Sequence, residues 1–239
     1  MTFEQEFKMT LEDIDKNAYI TNKAILRYFE NTAVYHSDSV GRGMKAVETT
    51  GQTWIVLDWR VKVLKRAKYG ENLKVKTWSR GIAKFFAFRD YELINEGGEV
   101  IAIGTSRWIL RDINNHKMVL LNEEIMAGYK SENRQVLPEE EFSKIEIPLE
   151  FSKELTYTTM RRDIDFNRHM HNLYHFDLAY EVLPDNIYEN STFDNFKVTY
   201  KKEIKLGEEV KCKYTYIDNK NIVIISNVDG NMNSIIQLW

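Results

Sequence analysis

The sequence predicts an α+β protein made of two copies of one unit, and three observations carry that prediction. Residues 13–22, Asp-Ile-Asp-Lys-Asn-Ala-Tyr-Ile-Thr-Asn, return as residues 163–172, Asp-Ile-Asp-Phe-Asn-Arg-His-Met-His-Asn, with Asp13/Asp163, Ile14/Ile164, Asp15/Asp165, Asn17/Asn167 and Asn22/Asn172 identical. Residues 61–76 return as residues 198–213, with Gly70/Gly207, Glu71/Glu208 and four lysine pairs among the identities. Each copy also shows a stretch of helical period followed by stretches of period two. The offset falls from 150 to 137 between the two matches, so the second copy has the shorter loops.

The elements follow in order. A short strand is expected before each Asp-Ile-Asp segment, over 6–11 and 154–160. A helix is expected after it: Leu26, Phe29, Ala33 and Ser37 recur at helical spacing in the first copy, and Leu173, Phe176, Tyr180 and Leu183 in the second, where Pro184 stops the run. First-copy strands are expected over 54–64, 73–79, 85–94 and 100–111, with turns at Gly70 and Gly97-Gly98. Second-copy strands are expected over 194–204, 210–217, 221–227 and 232–239, with turns at Gly207 and Asp229-Gly230. A helix followed by antiparallel strands buries its apolar stripe on one sheet face, a two-layer arrangement. Residues 131–150, with Pro138, Pro148 and Glu139-Glu140-Glu141 and little periodicity, read as the linker between copies spanning 1–130 and 151–239.

The 239 residues are 43% apolar and 29% charged, and only 3 are proline, which excludes a disordered or collagen-like chain. One cysteine, Cys212, excludes an internal disulfide and a cysteine metal cluster, and fits a reducing compartment. The N-terminus has acids where an export signal needs a basic start, and no apolar run is long enough to span a bilayer, so a cytoplasmic protein is expected. A net charge of −3 gives no reason to expect nucleic acid.

A duplicated scaffold needs one set of reactive groups, so the informative positions are those where the copies part. Tyr19 faces His169, Thr21 faces His171, and Arg66 faces Glu203. In Asp165-Phe-Asn167-Arg-His169 the polar residues lie two apart, a spacing that puts them on one side of an extended segment. That segment leads into a helix N-terminus, whose free N–H groups favour developing negative charge. An acyl carbonyl polarised there, with a histidine and a glutamate nearby, suits hydrolysis. Asp15 and Asn17 repeat the pattern without the histidine, so Asp165 and Asn167 also read as cap and turn residues. His171 and His175 are four apart with no third ligand at metal spacing, so no metal and no cofactor is expected.

At these residues the chain resembles the acyl-acyl carrier protein thioesterases, the group of the plant fatty acyl thioesterases and their bacterial relatives. The resemblance rests on Asp165-x-Asn167-x-His169-Met-x-Asn172-x-Tyr174, on Tyr200-Lys-Lys-Glu203, on Phe29-Glu-Asn-Thr-Ala33 and on Trp54-Ile-Val56. It implies a double hotdog fold, two tandem repeats each with a long helix packed on an antiparallel sheet, the first holding the substrate pocket and the second the active site. It implies catalytic roles for Asn167, His169, Asp165 and Glu203 in hydrolysing a fatty acyl group from acyl carrier protein during fatty acid biosynthesis. Ile204 stands where the plant enzymes carry a cysteine, so a thiol nucleophile is missing there and water is expected to attack directly. An acyl-CoA thioesterase, a hotdog dehydratase and a non-catalytic acyl-binding protein are the alternatives on the same fold.

Trp54, Trp59, Phe85, Phe86 and Phe88 offer walls for an acyl slot, or simply core. Acyl carrier protein is acidic, and two basic clusters could receive it: Arg60, Lys62, Lys65, Arg66 and Lys68, and Lys197, Lys201, Lys202 and Lys205. A solvated strand edge guarded by lysine explains the same residues. Two repeats in one chain leave a monomer and a homodimer both open.

Overall fold

The computed structural model describes residues 1–137 and 142–239, which form two compact units, Met1–Phe142 and Ser143–Trp239. The first comprises β1 (Phe3–Lys8), α1 (Asn22–Ser39), α2 (Val47–Thr50), β2 (Gln52–Val63), β3 (Asn72–Ala83), β4 (Phe86–Ile94), β5 (Val100–Asp112) and α3 (Glu123–Met126). The second comprises β6 (Lys153–Thr158), α4 (Tyr174–Glu181), α5 (Asp185–Asn190), β7 (Asn195–Tyr200), β8 (Glu209–Ile217), β9 (Lys220–Asn227) and β10 (Met232–Leu238). Every strand pair within a unit is antiparallel: β1 on β3, β3 on β4, β4 on β5 and β5 on β2 in the first, and β6 on β8, β8 on β9, β9 on β10 and β10 on β7 in the second. The strand order is the same in both, as the repeat requires. No helix among the described residues is long and apolar enough to cross a membrane.

In the first unit α1 starts at Thr21, whose Oγ1 accepts the Ala24 N–H at 3.1 Å. Its stripe of Ile25, Leu26, Phe29 and Ala33 is buried. Phe29 stacks on Tyr91 of β4 at 4.8 Å and also meets Gly104 of β5, where a Cβ would come within 2.7 Å of its ring. The missing side chain at Gly104 therefore sets how closely the helix approaches the sheet. In the second unit the helix has 8 residues against 18, because the chain turns through 171–173 before it and Pro184 follows closely. Phe176 of α4 packs edge-on to Phe196 of β7 at 5.0 Å.

Two strand ends depart from expectation for a shared reason. β1 ends at Lys8 and β6 at Thr158 because Asp13 and Asp163 turn the chain: Oδ2 of each accepts a backbone N–H, from Thr10 and Met160, at 2.7 Å. β7 ends at Tyr200 instead of reaching Ile204, because the Asn233 carbonyl accepts both Lys201 N–H and Lys202 N–H, at 2.7 and 3.2 Å. The Ile101 carbonyl does the same for Leu64 and Lys65 in the first unit.

The expected linker is in large part packed. Trp78 Nε1 donates to the Arg134 carbonyl at 2.8 Å, and Val136 N–H to Asp90 Oδ2 at 2.9 Å, within the first unit. Ile145 and Phe151 pack on Ile222, Ile224 and Ile235 within the second. These tethers use carbonyls and single side chains and leave no periodic trace in the sequence. Residues 138–141, the expected linker's acidic and prolyl centre, lie outside the described residues.

Candidate active site

The segment from Asp165 to His169 is a tight loop closed by its own backbone. Asp165 N–H donates to the His169 carbonyl at 2.8 Å, and Arg168 N–H to the Asp165 carbonyl at 3.0 Å. Arg168 takes a left-handed φ of 65° to complete the turn. Asp165 Oδ1 accepts the N–H of Asn167 at 2.8 Å and of His169 at 3.4 Å, so its carboxylate holds the loop. Met170 N–H then docks on the Ile204 carbonyl at 2.7 Å, which ties the loop to the segment carrying Glu203.

The docking brings His169 Nε2 to 3.3 Å from Glu203 Oε1, with the two side chains 28% and 35% exposed. A histidine and a carboxylate in contact, open to solvent on one side, can take a proton from water and deliver it to a leaving group. Asn233, buried in β10, donates from Nδ2 to the carbonyls of Lys202 and Glu203, at 3.3 Å each. It fixes the backbone under Glu203, and sequence reading missed it because the repeat places Ile101 at the matching bulge. Asn167 is exposed at the loop tip.

The helix start does not offer the free donors expected of it. Leu173 N–H goes to His171 Nδ1, Tyr174 N–H to the His171 carbonyl, His175 N–H to the Asn172 carbonyl and Phe176 N–H to the Leu173 carbonyl. Below the loop, His175 Nδ1 lies 2.8 Å from Ser234 Oγ, and burial holds this histidine down at about 4, hence neutral. Among the described residues no group of histidine, cysteine and acidic side chains could hold a metal ion. Cys212 is buried in β8, and burial pushes its thiol up to about 12, so it makes a poor nucleophile. Ile204 is fully buried as well, with its side chain away from solvent.

The first unit holds a mainly apolar cavity beside α1, lined by Ala33, Val34, Trp54, Ala87, Trp108 and Tyr129 among others. Of the five aromatics expected in an acyl slot, Trp54 and Phe88 line it. Trp59 is core, tilted against Tyr91 at 5.1 Å and edge-on to Trp108 at 6.0 Å. Phe85 and Phe86 are not in the lining, while Trp108, Met126 and Tyr129 are. The basic clusters are partly committed. Lys197 is buried and bonded to Ser143, Lys65 pairs with Glu99 at 2.7 Å, and Arg66 donates to the Ile20 carbonyl and to Asn22 Oδ1 at 3.0 Å each. Lys62, Lys68, Lys201, Lys202 and Lys205 are exposed.

Residues 1–129 match the family profile of the acyl-ACP thioesterase N-terminal domain, and residues 146–239 match that of the acyl-ACP thioesterase C-terminal domain. The chain belongs to the acyl-ACP thioesterase family. A family member from Arabidopsis thaliana, chloroplastic oleoyl-acyl carrier protein thioesterase 1, is 20% identical over 227 residues, covering 88% of this chain and 62% of that protein. The chain thus spans about three-fifths of the length of that relative. An acyl-ACP thioesterase from Bacteroides thetaiotaomicron superposes with a TM-score of 0.89 at 18% identity, covering 99% of this chain and 96% of that one. The 12:0-ACP thioesterase of Umbellularia californica does so with the same score and coverage at 17% identity. These likenesses show the fold: the repeat read in the sequence is the double hotdog of the thioesterase family.

Proposed function

We propose that the chain hydrolyses the thioester of fatty acyl-acyl carrier protein, releasing free fatty acid and the carrier's thiol, in cytoplasmic fatty acid biosynthesis. The observation that carries this reading is the 3.3 Å contact between His169 Nε2 and Glu203 Oε1, present in one repeat and replaced by Tyr19 and Arg66 in the other. Glu203 and His169 share the proton work. Glu203 accepts a proton from water as the water oxygen bonds to the acyl carbon. Asn167 donates to the carbonyl oxygen as it gains charge, a contribution of about 3 kcal/mol for a well-placed donor. The C–S bond then breaks, and the departing thiolate takes a proton from His169, which recovers it from Glu203 across the 3.3 Å contact, so that both side chains return to their starting states. Asp165 is a positioning residue that holds Asn167 and His169 in place. The cavity beside α1 supports an acyl substrate, since its lining is mainly apolar and aromatic. The exposed lysines at 201, 202 and 205, close in sequence to Glu203, support an acidic carrier. The single buried Cys212 supports a reducing, cytoplasmic setting. As a soluble catalyst the chain would work as a monomer or a homodimer.

The test is thiol release from a panel of acyl carrier protein and CoA thioesters with matched chains of about C4 to C18. Faster turnover on the carrier-protein thioesters is the expected result. Equal or faster release from CoA would move the assignment to an acyl-CoA thioesterase, and loss of water from a 3-hydroxyacyl chain with the thioester intact would move it to a dehydratase.

A further inference from the structure

Arg89 of β4 is an unusual wall for a cavity that otherwise suits an alkyl chain. Its side chain turns toward α1, it is 7% exposed, and it lines the cavity. Its Nη1 lies 2.8 Å from Nδ1 of His36 and 3.3 Å from Thr77 Oγ1, and its guanidinium sits 5.5 Å over the Tyr129 ring. His36 is fully buried, stacked on Phe3 at 5.3 Å, and burial together with Arg89 drives it down to about 3. It is therefore neutral, and its Nδ1 is the acceptor. Arg89 keeps its charge, as a guanidinium does. No carboxylate among the described residues forms an ion pair with it, and none of its hydrogen bonds to them uses Nε or Nη2.

A guanidinium has five N–H donors, and a buried cation left without acceptors is costly. The neighbouring polar groups are already engaged with each other. Tyr129 OH donates to Ser37 Oγ at 3.0 Å, and Ser79 Oγ lies 2.9 Å from Ser131 Oγ. An alkyl chain filling this end would strip water from Arg89 and return nothing, whereas an oxygen on the chain would replace that water. We propose that the Arg89 wall is an oxygen-recognition subsite, favouring an acyl group that carries a ketone, hydroxyl or carboxyl oxygen along its chain over the plain chain of equal length. The inference rests on the acyl reading of the cavity and adds the substrate class.

The test uses full-length protein and non-hydrolysable amide analogues of acyl-pantetheine: the dodecanoyl compound, a series with a ketone moved along the chain, and hydroxyl and ω-carboxyl members. Binding is read from the fluorescence of Trp54 and Trp108, which line the cavity. One ketone position should bind about tenfold or more tightly than the plain chain, the strength of a hydrogen bond to a charged donor. The hydroxyl and ω-carboxyl arms then tell which oxygen chemistry is preferred. Arg89→Met should bind all members alike, and if that variant does not fold, the positional scan in the unaltered protein decides alone. A plain chain binding as tightly as every oxygenated one would overturn the subsite while leaving the acyl reading intact. Absence of binding by any member would overturn both.

Discussion

In the first repeat Asp15 N–H donates to the Tyr19 carbonyl at 2.8 Å, Ala18 takes a φ of 63°, and Asp15 Oδ1 collects the N–H of Asn17 and Tyr19 at 2.9 and 3.0 Å. Ile20 N–H docks on the Ala67 carbonyl at 3.0 Å, as Met170 does on Ile204 in the second repeat. The Asp-x-Asn loop of the second repeat thus has the same backbone in every one of these contacts. What differs is the facing pair. In the first repeat Arg66 reaches back to the Ile20 carbonyl and Asn22 and clamps the loop to the helix start; in the second, Glu203 meets His169 and both remain partly open. The comparison separates two roles that the sequence merges: Asp-x-Asn builds the loop, and the residues at 169 and 203, which differ between the repeats, are the ones to which the proposed mechanism gives the chemistry.

The largest effect should come from erasing that difference. His169→Tyr combined with Glu203→Arg gives the second loop the first loop's pair, so circular dichroism should be unchanged while thiol release falls by about 10³-fold or more, the weight of general acid–base catalysis. Residual hydrolysis near the unaltered rate would show that the pair is not the machinery. A finer cut uses the shared aspartates. Asp15→Ala and Asp165→Ala each remove an acceptor of two backbone N–H groups and should each cost about 1–2 kcal/mol in urea unfolding. Only Asp165→Ala should slow turnover, by about tenfold to a hundredfold, through a misplaced His169. A matching loss of turnover in Asp15→Ala would break the comparison.

Much of this was open to reading from residue types and spacing, because duplication prints itself in the sequence. Asp13/Asp163, Asp15/Asp165 and Gly70/Gly207 recur since each holds a backbone position that few other residues hold as well: an acceptor for an orphan N–H, or a positive φ, 101° and 78° at the two glycines. Glu203 and His169 stood out because they break the repeat. The cavity showed only in part, through Trp54 and Phe88, because its lining comes from several helices and strands at once, and Trp108 and Tyr129 look like any core aromatic until the chain is folded. Arg89 was hidden for the opposite reason: a charged residue in a strand reads as solvent-facing, and here it is buried against His36. Asn233 escaped because its work is done on the backbone of a neighbouring segment, under a bulge that no local pattern announces.

The smallest predicted effect concerns the two buried histidines, one in each unit. His36 and His175 are both held neutral, at about 3 and about 4 against an ordinary 6.5. Below pH 6.5 the unfolded chain binds a proton at each that the folded chain refuses. Stability is therefore full above pH 6.5 and falls with acid by about 1.4 kcal/mol per pH unit per histidine. The share of His175 ends near pH 4, and that of His36 continues toward pH 3. His36→Asn keeps an acceptor near the lost Nδ1 for Arg89, and His175→Asn keeps a polar partner for Ser234 Oγ, while each removes the titrating ring. Urea midpoints between pH 7 and pH 4.5 should show each variant losing the slope of one proton relative to the unaltered chain. A variant whose acid slope matches the parent would show that its histidine already protonates in the folded unit, and would break the likeness drawn between the two cores.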